Sequence, residues 1–92
     1  MYIILVYDIS LEENGAKVWR DVYKICKRYL VHVQNSVFEG EVSKSQLFEL
    51  KKNLKGKLRK DMDSLIIFAS REKRWLDKTI IGNTIDDTDN FI

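Results

Sequence analysis

A single aspartate at the end of the first apolar segment is the strongest candidate for chemistry in this sequence. Asp8 directly follows residues 1–7, which are apolar without alternation and rich in β-branched and aromatic side chains, as in a strand buried on both faces. A carboxylate at the end of a central strand lies where layered α/β proteins place ligands. The alternative is that Asp8 caps a turn. Mg²⁺ or Mn²⁺ requires several oxygen ligands, which one carboxylate does not supply, and a twofold axis through the site would add a second Asp8.

A row of cations occupies one face of the helix predicted after this strand. Over residues 16–29 an apolar face separates from basic residues that recur at three- and four-residue steps, namely Lys17, Arg20, Lys24, Lys27 and Arg28. Such a row can contact phosphates, each contact releasing a counterion, although an ordinary solvated helix face shows the same pattern. All 16 Lys and Arg precede residue 79, whereas three Asp lie among the last seven residues. This asymmetry weakly favours a polyanionic partner.

The one cysteine and one histidine exclude a disulfide within the chain and a Cys/His zinc site. Cys26 can form no disulfide within the chain and falls in the apolar pattern of the helix, which predicts a buried structural thiol in a reducing cytoplasm. No Cys/His zinc set can be assembled in one chain, so any metal should be hard and oxygen-ligated. His32 has a pKa suited to acid–base work. Its neighbours Val31 and Val33 predict instead that it projects from the opposite face of a strand.

The length and hydropathy of the chain fit one small domain without a membrane partner. It has 92 residues, of which 45% are hydrophobic; this allows a core small enough that dimerisation would be a natural supplement. The longest apolar runs are far too short to cross a bilayer, and the N-terminus lacks the basic region of a secretory signal. We expect one cytoplasmic domain with residues 1–82 as its core and residues 83–92 as an acidic tail.

Two helix starts are indicated by capping patterns. Ser10 and Glu13 have the spacing of a capping box before the basic helix, and Ser43 and Gln46 repeat it before a second amphipathic helix. Asn14-Gly15 weakens the first of these turns, so regular helix is expected only from about residue 16.

The remaining segments predict strands. Residues 31–42 alternate but contain weak points, so they form either one bulged strand or two short ones. Ser64–Ser70 is a further buried strand, and residues 78–82 are a short extra one. The order β-α-β(β)-α-β-β predicts an α+β fold, a ferredoxin-like split βαβ sandwich with an extra C-terminal strand. That extra strand would cover a sheet edge by joining the sheet of a twofold-related partner.

Four short segments resemble one known family. They are Tyr7-Asp8-Ile9, residues 33–41 (V-Q-N-S-V-F-E-G-E), residues 63–68 (D-S-L-I-I-F) and residues 80–82 (I-I-G). Over nearly its whole length the chain is similar to the CRISPR-associated protein 2 family of small adaptation endonucleases. The segment 33–41 is the most specific of these matches.

This resemblance implies a homodimeric, divalent-metal-dependent endonuclease acting on RNA or double-stranded DNA, with Mg²⁺ or Mn²⁺ as cofactor. It also implies partnership with the CRISPR integrase in spacer acquisition. By position, Asp8 of each protomer is the metal-binding and catalytic residue, and Tyr7, Ser36 and Phe38 match motif positions near the site or the dimer interface. Lys17, Arg20 and Lys24 would bind the nucleic acid. A non-catalytic DNA-binding bridge and a related toxin-type messenger-RNA nuclease are the alternatives.

Overall fold

Two helices pack on one face of an antiparallel sheet in the computed structural model, which describes residues 1–82. The elements are β1 (Tyr2–Asp8), α1 (Gly15–Tyr29), β2 (Val31–Gln34), β3 (Val37–Glu41), α2 (Lys44–Lys55) and β4 (Ser64–Ser70), followed by a 3₁₀ turn at Lys73–Trp75. No helix in this part of the chain is long and apolar enough to cross a bilayer. The acidic tail predicted at residues 83–92 lies outside the described residues.

The central position predicted for β1 is confirmed by the strand order. The sheet runs β2-β3-β1-β4, and every neighbouring pair is antiparallel. In the register, Leu5 of β1 lies opposite Phe38 of β3 and Ile67 of β4. Because β1 has a neighbour on both sides, its backbone groups are paired along both edges, as its uninterrupted apolar sequence requires.

Alternate residues of the strands form the core with the two helices. Ile3, Leu5 and Phe38 are fully buried on the helix-facing side of the sheet. The helices contribute side chains that are also buried, namely Val22, Ile25, Cys26, Leu50 and Leu54. Burial raises the pKa of the Cys26 thiol to about 12, which keeps it protonated and unreactive. The prediction of a buried structural thiol is confirmed.

The two predicted helix starts have different outcomes. At α2 the capping box is complete, because the Ser43 hydroxyl accepts from the Gln46 amide and the Gln46 side chain accepts from the Ser43 amide. At α1 the predicted capping box is wrong, whereas the start of regular helix expected at about residue 16 is confirmed to within one residue. The helix begins at Gly15 after Asn14, whose φ is 70°, because the chain first makes a tight turn that brings Gly15 against the Ser10 carbonyl. A Cβ at Gly15 would lie 1.9 Å from that oxygen, so only glycine fits.

Residues 31–42 form two short strands, one of the two predicted alternatives. A turn at Asn35, where φ is 33°, separates β2 from β3, and the pairing is irregular between His32 and Gln34. His32 faces the helices, opposite Val31, as predicted. Its ring stacks on Phe38 at 4.7 Å between centroids, and Nε2–H donates to the Asn35 carbonyl at 2.8 Å. His32 is therefore a packing and turn-stabilising residue.

The extra strand predicted at residues 78–82 is not formed within residues 1–82. After the 3₁₀ turn the chain runs across the sheet face that carries no helix, where residues 78–81 line a shallow cavity with Ile4, Val33 and Val37. Lys78 Nζ lies 3.1 Å from a buried Glu39 carboxylate oxygen. The prediction is wrong for the single chain because the segment lies over side chains, whereas a strand needs a sheet edge with free backbone groups.

Candidate metal and nucleic-acid site

Asp8 is the last residue of β1 and is exposed to solvent. It lies opposite Ser64 in the β1–β4 ladder. Alternation along the strand places it with Tyr2, Ile4 and Val6 on the face of the sheet that carries no helix, here called the open face. Within residues 1–82 no hydrogen bond or ion pair engages its carboxylate, so the turn-capping alternative has no bond to support it. The carboxylate is available to a ligand.

The open face beside Asp8 is apolar and exposed along β4, whereas residues 78–81 lie over the middle of β1 at Ile4. Ile66 lies opposite Val6, and Phe68 lies opposite Ile4. The side chains of Ile66 and Phe68 are 54% and 58% exposed. An exposed patch of adjacent large apolar residues on a sheet marks an interaction surface rather than a solvated one. The candidate ligand residue therefore lies at the end of a surface suited to contact with another molecule.

The backbone around Asp8 is held from both neighbouring strands. On the β3 side the Tyr7 amide donates to the Ser36 carbonyl at 3.1 Å. On the β4 side the Ser10 amide donates to Asp63 Oδ1 at 3.0 Å. Ser36, one of the predicted site residues, thus contacts the strand directly before Asp8 through its backbone. These two bonds fix the point at which the chain leaves the sheet.

Tyr7 and Phe38, also predicted near the site, lie on the helix-facing side of the sheet. Their side chains are 3% and 0% exposed, and their rings stack at 6.2 Å between centroids. The Tyr7 hydroxyl is buried and has no hydrogen-bond partner among the described residues, and burial raises its pKa. Both side chains therefore act by packing in this structure, on the opposite side of β1 from the Asp8 carboxylate.

The predicted nucleic-acid residues lie on the outer surface of the helix layer. Lys17, Arg20 and Lys24 are all exposed. Lys17 Nζ lies 2.8 Å from Asp21 Oδ2, so one cation of the row is already paired. Lys24 also lines a narrow cleft between α1 and α2, together with Asp21, Arg28 and Lys57. The basic surface thus continues from α1 onto the end of α2.

The metal-ligand set of one chain is incomplete. Among residues 1–82 no three His, Cys, Asp or Glu side chains are grouped so as to hold a metal. Asp8 supplies an exposed, hard oxygen donor of the kind that Mg²⁺ and Mn²⁺ prefer, but these ions take about six ligands. The residues present therefore fit half of a site, which a second Asp8, water and phosphate oxygens would complete.

Comparison with known proteins identifies the family. Residues 1–78 match the family model described as CRISPR associated protein Cas2. The chain belongs to this family. A Cas2 protein of Fusobacterium nucleatum, named CRISPR-associated endoribonuclease Cas2, is 52% identical over 92 residues, covering 100% of this chain and 87% of that protein. CRISPR-associated endoribonuclease Cas2 2 of Moorella thermoacetica is 41% identical, covering 98% of this chain and 100% of that protein.

Solved Cas2 structures share the fold. One crystal structure of Cas2 is 38% identical with a TM-score of 0.79, covering 100% of this chain and 95% of that chain. The Streptococcus pyogenes Cas2 structure at pH 6.5 is 29% identical with a TM-score of 0.73, covering 86% of this chain and 99% of that chain. The α+β, ferredoxin-like fold class and the family resemblance are both confirmed.

Two buried carboxylates of this Cas2 protein were not anticipated from its sequence. Glu39 is 2% exposed and accepts hydrogen bonds from the Tyr2 hydroxyl and from Lys78. The Asp63 side chain is fully buried and pairs with Arg59 at 2.9 Å. The only available signal was their position inside the two family segments at residues 33–41 and 63–68. Both carboxylates connect parts of the chain that are far apart in sequence.

Proposed function

We propose that this Cas2 protein is a homodimeric, divalent-metal-dependent endonuclease of the cytoplasm that cleaves RNA or double-stranded DNA and serves spacer acquisition with the CRISPR integrase. The observation that carries the proposal is the exposed, unengaged Asp8 carboxylate on the same sheet face as the exposed apolar side chains of β4. The relatives named endoribonucleases support nuclease activity. The family match favours a CRISPR role over the toxin-type messenger-RNA nuclease.

The open face supports the dimer. A twofold axis through this face would cover Ile66 and Phe68, and removal of their apolar surface from water would favour association. The same axis would bring two Asp8 side chains towards one site, which a single chain lacks. Residues 78–82, which form no strand in the single chain, could then find a sheet edge on the partner.

The chain's own residues would bind and orient the reactants. Two Asp8 carboxylates would hold Mg²⁺ or Mn²⁺, which, when bound, activates water and polarises a phosphate. Arg20 and Lys24 would neutralise phosphates at a distance from the cleaved bond and so hold the nucleic acid on the protein. The backbone bonds to Ser36 and Asp63 would keep Asp8 in place, so that no rearrangement is required when the substrate arrives.

Replacement of Asp8 tests the activity. Asp8→Asn keeps the shape and one acceptor oxygen but removes the charge that attracts a hard cation. We expect metal-dependent cleavage to fall far more than tenfold while the dimer stays folded, because activation of water and polarisation of phosphate are lost together. Asp61→Asn, the same change at another exposed aspartate, is the matched control. Single-stranded RNA and double-stranded DNA are assayed with Mg²⁺, Mn²⁺ and chelator.

Two outcomes separate the competing functions. Equal cleavage by wild type and Asp8→Asn would exclude Asp8 as the catalytic residue. Absence of cleavage by either protein would favour the second candidate, a non-catalytic bridge that holds a DNA duplex in the integrase complex. One observation favours that candidate: the basic row lies on the helix layer, on the other side of the sheet from the open face. Duplex bound there is not directed towards Asp8.

A further inference from the structure

The guanidinium of Arg59 connects the loop between β1 and α1 with the loop between α2 and β4. Arg59 lies between α2 and β4, and all five of its side-chain N–H groups are used. Nη1 donates to the carbonyls of Glu12 and Glu13 at 2.6 and 2.7 Å. Nη2 donates to the Ser10 carbonyl at 2.6 Å and to Asp63 Oδ1 at 3.0 Å, and Nε donates to Asp63 Oδ2 at 2.9 Å. Only a planar fork of five donors can make this set of bonds.

The loop between β1 and α1 depends on this cation for its shape. The carbonyl oxygens of Ser10, Glu12 and Glu13 all point at the guanidinium of Arg59. Without this positive charge the three oxygens would repel one another. Glu13 and Asn14 both adopt positive φ, 50° and 70°, which costs non-glycine residues free energy. No side-chain hydrogen bond caps the start of α1 within the described residues. Arg59 supplies the side-chain hydrogen bonds to this loop that the residues at the start of α1 do not supply.

Asp63 completes the connection on the side of β4. Its carboxylate accepts the Ser10 amide at 3.0 Å and the Arg59 amide at 2.8 Å, besides the guanidinium. The hydrogen bonds from Arg59 lower its pKa to about 2, so the carboxylate is charged at neutral pH. The bond to Ser10 lies just beyond the Asp8–Ser64 pair and extends the β1–β4 ladder past Asp8.

We propose that Arg59 and Asp63 are positioning residues of the Asp8 site. They fix the direction in which the chain leaves β1 at Asp8, and they hold the loop that precedes α1. This inference rests on the proposed function, in which two Asp8 carboxylates share one cation. Mg²⁺ accepts oxygen ligands only near 2.0–2.1 Å, and a misplacement of about 1 Å can cost roughly 10²-fold in rate. A loosened loop would therefore impair the site without unfolding the core.

Chemical rescue tests the positioning role. Arg59→Ala removes the fork, and guanidinium ion at millimolar concentration, far below denaturing levels, can reoccupy the vacated position. We expect kcat to fall on the order of 10²-fold with KM near that of wild type, and added guanidinium to restore much of the loss. Arg59→Lys keeps the charge without the planar fork and should be intermediate. Lys60→Ala, at the exposed neighbouring residue, is the matched control and should behave as wild type.

Two readouts independent of cleavage accompany the kinetics. Mn²⁺ affinity, measured by electron paramagnetic resonance, should weaken in Arg59→Ala and recover with guanidinium, with Asp8→Asn as the lower limit. Amide hydrogen exchange at Ser10 and in the first turn of α1 should accelerate in the same variant, while exchange in β1 remains slow.

The outcomes distinguish the two proposals. Wild-type kcat, Mn²⁺ affinity and loop exchange in Arg59→Ala would overturn the positioning role and leave the proposed function intact. Losses of kcat and Mn²⁺ affinity that guanidinium cannot reverse, together with fast amide exchange throughout the sheet, would show a purely structural role and would also overturn the positioning role. If Arg59→Ala does not fold, the same measurements are made on Arg59→Lys. Wild-type protein that binds Mn²⁺ no better than Asp8→Asn would instead refute the proposed metal site, and the positioning role that depends on it.

Discussion

Asp8 and Phe68 project from the same face of the sheet, and that face carries no helix. The ladder between β1 and β4 pairs Asp8 with Ser64 and Ile4 with Phe68, so alternation brings all four side chains to the open face. Phe68 is 58% exposed in the single chain. A ligand-type carboxylate and an uncovered aromatic surface therefore belong to one face, and a molecule that covers Phe68 would also lie close to Asp8.

Disruption of this surface should separate the proposed dimer. Phe68→Glu places a charge where an apolar contact is proposed, and burying an unpaired charge is strongly unfavourable. Because Phe68 is exposed in the folded chain, the fold should survive. Light scattering at micromolar concentration should return roughly twice the chain mass for wild type and the mass of one chain for the variant.

Phe48→Glu provides the control for this prediction. Phe48 is 68% exposed on α2, so the substitution is chemically identical but lies in the helix layer. It should leave the dimer intact. A dimeric Phe68→Glu protein would place the interface elsewhere and would remove the support for a shared Asp8 site.

The parts of the fold governed by local chemistry were predictable from sequence. The central position of β1 followed from seven apolar residues without alternation, and the start of α2 followed from a capping box whose two partners are three residues apart. In both cases the interactions that decide the structure lie within the segment itself or repeat along it. The position of Asp8 at a strand end followed from the same local pattern.

The incorrect predictions share a dependence on distant partners. The capping box expected before α1 is absent, and the loop carbonyls of Glu12 and Glu13 accept instead from Arg59, more than 40 residues away. Residues 78–82 have strand composition, but their pairing depends on a free sheet edge, which local sequence cannot reveal. Glu39 is buried because Tyr2 and Lys78 contact it from both ends of the described chain. Side-chain contacts between residues this far apart in sequence produce no periodic pattern along the chain from which they could be predicted.

Removal of the Tyr7 hydroxyl should not destabilise the protein. This buried hydroxyl has no partner within residues 1–82, so the folded state already bears its desolvation cost. Tyr7→Phe should leave the free energy of unfolding unchanged or increase it. Tyr2→Phe is the matched comparison, because the Tyr2 hydroxyl donates to buried Glu39; its loss should cost about 1–3 kcal/mol. Urea unfolding of both variants measures the difference, and a destabilised Tyr7→Phe would reveal a hydrogen bond that the isolated chain lacks.

Acid should weaken the fold through Asp63. Its pKa falls from the usual 3.8 to about 2, chiefly through the hydrogen bond from Arg59. Between these values the unfolded state binds more protons than the folded state, so stability rises with pH. The contribution of Asp63 is fully present above about pH 4 and is lost as the pH falls through about 2. Urea unfolding between pH 2 and 5 should show a shallower dependence of stability on pH for Asp63→Asn than for wild type, and an equal dependence in the two proteins would contradict this.

Nucleic-acid binding should depend on the basic row of α1 and on salt. The logarithm of affinity falls linearly with the logarithm of salt concentration. For every phosphate of duplex DNA that a variant no longer neutralises, this slope should become shallower by about 0.9. Replacing Lys17, Arg20 and Lys24 by alanine should therefore weaken binding of every sequence and flatten the slope. Three exposed lysines of α2, Lys44, Lys51 and Lys52, provide a control of equal charge whose replacement should change the slope less.

The three cations of the row should not contribute equally. Lys17 is paired with Asp21 at 2.8 Å, and a phosphate must compete with that carboxylate, so Lys17→Ala alone should weaken binding less than Arg20→Ala. Arg20 can also hold a phosphate with two N–H groups, which lysine cannot do. Fluorescence anisotropy with a labelled duplex at several salt concentrations measures both quantities. An unchanged slope with reduced affinity would show that the basic row acts through folding. Equal losses of affinity in Lys17→Ala and Arg20→Ala would show that the Lys17–Asp21 ion pair breaks when the nucleic acid binds.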